Sequence, residues 1–329
     1  MNIKMSVKMK KDSGNIVIMP NIFENVKADF DDYLMNFEYK NMIFIVNLET
    51  SKLENKELEN IFWEFYSYLG FVLGYFPEII EASFANEKYL ANIVEQYKTK
   101  DSFIRTSEQY IKSMSSEDFK KSFELYRTIY KKSNFVFAMF NVGMMKTNSY
   151  PEIAIINILQ SLDGLFDVLF NSKSNKKSIK VEKMILLKEL LNDIDLKKIS
   201  DSEYENVKNY ALKIAEISFV DKLRFYINNV RFGIFDYEKK LNRDDQYYID
   251  SLLNKLVNTR NKFSHSVEKK EVLNGLESAV LVFKVVMLYR LLIFEKIEIT
   301  NLIDEEEFDK NLIEWNKYIY ETLKEEVQE

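Results

Sequence analysis

Residues Asp245–His265, DQYYIDSLLNKLVNTRNKFSH, fix the reading of this chain as mainly helical. Ile249, Leu252, Leu253, Leu256 and Val257 recur at three- and four-residue steps, the period of one helix face, and a helix is expected from Asp245 to Lys262. Continuing those steps past Val257 lands on Arg260 and Asn261, and then on Ser264 and His265. Polar groups therefore extend a stripe that begins apolar. An arginine on such a face is costly without a partner or a ligand. A purely solvated role would have put these groups on the opposite side.

Composition points the same way. The 329 residues contain 7 Gly and 3 Pro, too few for a protein built on tight turns between strands. Hydrophobic residues make up 47% and aromatics 14%, enough for a sizeable core. The absence of Cys excludes disulfides and thiolate metal sites, and the single histidine, His265, excludes a zinc site built from several histidines of one chain. No metal and no cofactor are expected. A net charge of −6 argues against a constitutively basic nucleic-acid binder. The apolar stretches Ile61–Phe76 and Leu281–Phe294 contain Glu64, Lys284 and Arg290, so neither reads as a membrane span. The spacing of Gly70 and Gly74 reads as a site of close helix contact. Residues Met1–Lys11 do not resemble a signal peptide, and a cytoplasmic location is expected.

Along the chain, Asn2 to about Glu49 reads as strands: Met1–Lys8 alternates, Asn15–Met19 is a short apolar run, and Met42–Leu48 is rich in β-branched residues. A helix is expected over Leu53–Phe76, and Pro77–Ser107 is ambiguous. A domain boundary is placed near Ser113–Glu117, giving a mixed α/β region over 1–115 and a helical domain over 116–329. Further helices are expected over Asp118–Phe140, Pro151–Phe170, Val181–Leu191, Glu203–Phe232 (continuous or broken), Lys270–Glu295 and Glu305–Glu326, with a polar, Lys-rich connection from Asn171 to Lys180.

Arg260, Asn261 and His265 form a small kit for RNA chemistry. A histidine moves protons near neutral pH, and a guanidinium holds a phosphate with a planar fork of donors. In ideal helix geometry Asn261 and His265 share a face, whereas Arg260 and His265 diverge by about 140°. They converge on one phosphate if the helix ends or distorts between them, or if the site is built from two chains. The plainer reading is a helix-end histidine interacting with the helix dipole.

The segment Arg260-Asn261-Lys262-Phe263-Ser264-His265 resembles the Arg-x(4–6)-His signature of HEPN-domain proteins, in the form Arg-Asn-x-x-x-His. The helical order over about Asp118–Glu298 also resembles that family: two long antiparallel helices, a polar insert, the motif-bearing helix and another long helix. A β-rich region ahead of such a domain is similar to the Apea-like group of abortive-infection proteins. The resemblance implies a C-terminal antiparallel helical bundle and a metal-independent endoribonuclease, acting by 2′-hydroxyl attack to leave a 2′,3′-cyclic phosphate, in antiphage defence. It implies that His265 transfers protons, Arg260 binds the phosphate and Asn261 orients His265 or the substrate. It also implies RNA as partner and a homodimer with facing motifs, with an antitoxin, regulatory protein or phage trigger as further partners. One branch of the family carries His-x-Tyr; here Ser266 and Val267 follow His265, so the regulation through that Tyr is not expected.

Asp163, Ser264 and Lys262 are candidate substrate-binding residues. Asp163 and Asp167, one turn apart with Gln160 nearby, either approach the motif or form a polar helix edge. Lys173, Lys176, Lys177 and Lys180 read as a solvated loop or as phosphate contacts. Arg224 and Arg231 flank an aromatic stretch and could line a groove. The alternative to an enzyme is a non-catalytic helical module for dimerisation or for binding a nucleotide or RNA.

Overall fold

The computed structural model of the protein describes residues 3–10, 22–23, 26–40, 43–84, 87–88, 111–144, 151–192, 200, 202–203, 206, 217–265 and 271–326. The expected strand at Asn15–Met19 lies outside them. The N-terminal part is an antiparallel sheet of β1 (Ile3–Lys10), β2 (Lys27–Asp29), β3 (Leu34–Lys40), β4 (Ile43–Thr50), β5 (Glu78–Phe84) and β6 (Glu87–Lys88), in the order β2-β3-β4-β1-β5-β6. Alternation sets its faces: Val7 and Met9 of β1, Met35 and Phe37 of β3, and Phe44, Val46 and Leu48 of β4 are buried. Strands β5 and β6 occupy the stretch whose sequence pattern is ambiguous.

Helix α1 (Asn55–Leu73) packs on the buried face of the sheet, with the Phe65 ring stacked 5.3 Å from that of Phe37. It starts with a capping box between Glu54 and Glu57 and stops at Gly74, whose φ of 74° suits a residue without a Cβ. The Gly70–Gly74 pair does not mark a helix–helix contact. Gly74 is the helix stop, and Gly70 is covered by the Phe76 ring, where an added Cβ would come within 2.3 Å of Phe76 Cε1.

Helix α2 (Ser116–Lys132) is capped by Ser115, which accepts from the Asp118 amide. The single helix expected over Asp118–Phe140 is broken. At Ser133 the backbone leaves helical geometry (φ −161°, ψ 73°), and α3 (Asn134–Met144) begins. The break lets Phe119 and Phe123 face the sheet while Phe137 and Phe140 face the bundle: Phe119 lies edge-on to Phe37 at 5.0 Å, and Phe140 stacks on Tyr289 at 4.2 Å. The division at 115/116 thus falls on a helix cap, and buried apolar side chains run continuously across it.

The C-terminal part is an antiparallel helical bundle, so the fold is mainly α with a mixed α/β N-terminal region. Its described helices are α3, α4 (Pro151–Leu169), α5 (Lys173–Asn192), α6 (Phe219–Asn229), α7 (Asp236–Lys240), α8 (Ile249–His265), α9 (Gly275–Lys296) and α10 (Glu305–Glu326). The Lys-rich segment expected to be a loop is the first half of α5: Ser172 Oγ accepts from the Asn175 amide and starts the helix there. Helix α9 runs through the centre and joins the two parts. Arg290, fully buried, donates from Nε to the Phe71 carbonyl at 2.7 Å and from Nη2 to the Val72 carbonyl at 2.9 Å. Those carbonyls end α1 and lack helical partners, so the guanidinium closes that helix and offsets its negative dipole end. A second buried pair links α7, α9 and α10: Glu238 Oε1 accepts from Lys284 Nζ and, at 2.5 Å, from the Tyr320 hydroxyl. Burial pushes Lys284 below the ordinary lysine range, and the Glu238 carboxylate opposes that shift. No single helix among the described residues is long and apolar enough to cross a membrane.

Candidate functional site

Three helices meet around Arg260. Helix α8 buries Leu252, Leu253 and Leu256, and its outer edge holds Arg260, Asn261 and Ser264 at intermediate exposure. It continues without interruption to His265, its last residue. Helix α4 buries Ile155, Leu159, Leu162 and Phe166, which turns Gln160, Asp163 and Asp167 toward the rim facing α8. Helix α6 opens with a capping box between Ser218 and Asp221 and places Phe219 and Lys222 one turn apart. It is tied to α4 by the Tyr226 hydroxyl, which donates to the Leu162 carbonyl at 2.9 Å.

The contacts at the rim are charged and close. Arg260 Nη2 donates to Asp163 Oδ2 at 2.5 Å, and Nη1 donates to Asn261 Oδ1 at 3.1 Å. The guanidinium carbon lies 5.4 Å from the centroid of the Phe219 ring. Arg260 Nε is buried and has no hydrogen-bond partner among the described residues. Lys222 Nζ donates to Asp163 Oδ1 at 2.7 Å and approaches Asp167 Oδ2 at 3.3 Å. Gln160 Nε2 donates to Ser264 Oγ at 2.7 Å. The Arg260, Asp163 and Lys222 side chains are 22%, 22% and 12% exposed, so the cluster sits at a solvent boundary where its ion pairs are only partly screened.

Residues 156–302 match the family model described as Apea-like HEPN. That segment is an Apea-like HEPN domain. No curated protein and no solved structure matches the chain significantly. The match runs from α4 to the turn after α9 and so includes every helix that contributes to the rim.

Within the HEPN domain, the structure brings several of the residues singled out in the sequence together. Arg260 and Asn261 touch each other, and Ser264 is held one turn further along by Gln160. Asp163 reaches the motif from α4, and its carboxylate is taken up by Arg260 and Lys222. Lys262 does not join the cluster: it is exposed, and its ammonium lies 5.7 Å from the ring of the equally exposed Phe263. Asp167 is more exposed than Asp163 and reaches only Lys222. Arg224 pairs with Asp250 at 3.0 Å and Arg231 pairs with Glu305, so neither guanidinium stands at the rim. Lys173, Lys176, Lys177 and Lys180 lie on the exposed side of α5.

Phe219 and Lys222 escaped the sequence reading. Their signal was present in Ser218-Phe219-Val220-Asp221, a capping box that starts a helix at Phe219.

Proposed function

We propose that the protein is a metal-independent endoribonuclease of HEPN type, acting on RNA in the cytoplasm as part of antiphage, abortive-infection defence. The observation that carries this reading is the fixing of Arg260 by Asp163, Asn261 and Phe219 at the rim of an Apea-like HEPN domain, on the helix that ends at the chain's only histidine. A guanidinium held in place yet still partly exposed is a prepared phosphate-binding group.

The chemistry needs no cofactor. The ribose 2′-hydroxyl gives up its proton, and its oxygen attacks the adjacent phosphorus. The bond from phosphorus to the 5′-oxygen breaks, and that oxygen takes a proton on leaving. The products are a 2′,3′-cyclic phosphate and a 5′-hydroxyl end. His265 transfers the protons, Arg260 stabilises the charge on the phosphoryl oxygens, and Asn261 orients His265 or the substrate. Ser264 contributes at the same rim, with Lys262 outside it.

The unbroken helix bears on assembly. With no end or distortion between them, Arg260 and His265 diverge by about 140° around the α8 axis. In-line cleavage also uses two proton-transfer groups on opposite sides of the phosphate. A homodimer with facing α8 helices supplies the second histidine and brings one chain's Arg260 toward the other's His265. The region 1–115 then serves as the sensor or regulatory part, answering to a phage trigger, an antitoxin or another regulatory protein.

A second reading draws on the same contacts. Arg260 already has protein partners, which suits a non-catalytic module for dimerisation or for nucleotide or RNA binding, with Arg260 as a structural ion pair. Incubation with total RNA separates the two readings. A ribonuclease cleaves in EDTA, leaves cyclic-phosphate ends and spares a substrate that is 2′-deoxy at the cut. Arg260→Lys is impaired, because a point charge does not replace the fork. Intact RNA at every protein concentration supports the binding module, and strict Mg²⁺ dependence overturns the metal-independent mechanism.

A further inference from the structure

The rim holds a lysine that the motif does not include. Lys222 projects from α6 and donates to both the carboxylate of Asp163, at 2.7 Å, and its main-chain carbonyl, at 3.1 Å. It also pairs with Asp167 at 3.3 Å, and its ammonium lies 5.4 Å from the centroid of the Phe166 ring. The two oxygens of Asp163 are divided, Oδ1 to Lys222 and Oδ2 to Arg260. The Asp163 rotamer that aims Arg260 is therefore set from behind by Lys222.

The charges reinforce the geometry. Asp163 and Asp167 sit one turn apart on α4, and Arg260 and Lys222 face them, so the four side chains balance. Without Lys222, two carboxylates would stand beside the place where an RNA phosphate meets Arg260, opposed by one cation. Like charges at such range repel, and solvent salt weakens the repulsion.

We infer that Lys222 is a positioning residue of the ribonuclease site: it fixes Asp163 so that Arg260 is aimed, and it cancels the acidic edge of α4 so that a phosphodiester can approach. This inference rests on the ribonuclease reading. It assigns to α6 a part in substrate binding that the Arg-Asn-x-x-x-His signature does not contain.

The test compares Lys222→Met, Lys222→Arg, Asp167→Asn and the double variant Lys222→Met/Asp167→Asn in the full-length protein. Binding is followed by fluorescence anisotropy with a 2′-O-methyl oligonucleotide that cannot be cut, and KM and kcat are measured with the matching RNA, both over a salt series. Lys222→Met raises Kd and KM by about five- to twentyfold at low salt, with the difference shrinking as salt rises. Lys222→Arg recovers most of the loss. The double variant, with its charge balance restored, recovers KM but not all of kcat, because Asp163 Oδ1 still lacks the lysine that fixes its rotamer. Asp167→Asn alone tightens RNA binding at low salt.

Parental KM for Lys222→Met at every salt concentration overturns the inference, as does a double variant no better than Lys222→Met. Should Lys222→Met fail to fold, Asp167→Asn carries the test, and parental or weaker binding overturns the inference. If the parent cuts RNA and Arg260→Ala does not, while Lys222→Met matches the parent, only the role of Lys222 falls. If Arg260→Ala cuts as well as the parent, the ribonuclease reading falls with it.

Discussion

Removing Asp163 should cost more stability than removing Arg260, although the two form one ion pair. Asp163 serves two cations, whereas Arg260 has that one carboxylate. In Asp163→Ala, Arg260 keeps only Asn261 Oδ1, and Lys222 keeps the main-chain carbonyl at 163 and the exposed Asp167. Two charge-assisted hydrogen bonds are lost, each worth about 1.5–3 kcal/mol when buried. With side chains 12–22% exposed, screening reduces the sum to about 2–3 kcal/mol. In Arg260→Ala, Asp163 keeps Lys222, so one such bond and the contact with Phe219 are lost, about 1–2 kcal/mol. At roughly 2 °C per kcal/mol for a chain of this size, Tm falls by about 4–6 °C in the first variant and about 2–4 °C in the second. The double variant should fall short of the sum by about 1 kcal/mol, the coupling of the pair. Thermal melts followed by circular dichroism, at matched protein concentration, give all three values. Equal shifts for the two single variants, or strict additivity, would show that Asp163 does not hold Arg260.

Three further outcomes follow from the same structure. Light scattering should give about twice the 39.2 kDa chain mass, and mixing with excess His265→Ala chains should lower activity by more than dilution; an active monomer contradicts the facing-motif arrangement. Lys284→Met should destabilise by about 3–5 kcal/mol by leaving Glu238 charged and buried, whereas Lys284→Met with Glu238→Leu should recover most of that loss; if the double variant melts no higher than the single one, the buried pair is not the reason. Burial raises Tyr68, Tyr126, Tyr226 and Tyr289 above the usual tyrosine value of 10.0, so their stabilising contribution is complete below that pH and is lost above it, by up to about 1.4 kcal/mol per pH unit for each. The share of tyrosinate absorbance that belongs to these four residues should therefore appear together with loss of helical dichroism, and its full development in a still-folded chain would refute that linkage.

What the sequence showed depended on how each element meets its surroundings. Helix α8 was legible because one face is buried and the other wet, so Ile249, Leu252, Leu253 and Leu256 repeat at the helical period. Helix α10 was legible for the same reason, through Phe308, Leu312 and Ile319. The first half of α5 buries only Ile179 among its described side chains, so it carries no stripe, and its lysines read as a loop. The break at Ser133 was invisible because Lys131, Lys132, Ser133 and Asn134 are all tolerated within a helix. At the site, the motif residues could be named from spacing along α8. That Asp163 meets Arg260 across 97 positions could not, because helix periodicity gives a residue's face but not its neighbour on another helix. The Ser218–Asp221 capping box was readable and would have placed Lys222 in the first turn of α6.

The most direct test of the account is cleavage of RNA by the purified parent and by His265→Ala, in EDTA, with the new ends mapped. The parent should release fragments with 2′,3′-cyclic phosphate and 5′-hydroxyl ends, and His265→Ala should lose most of that activity while melting within a few degrees of the parent. A folded His265→Ala chain that cuts RNA as fast and at the same places as the parent would contradict it.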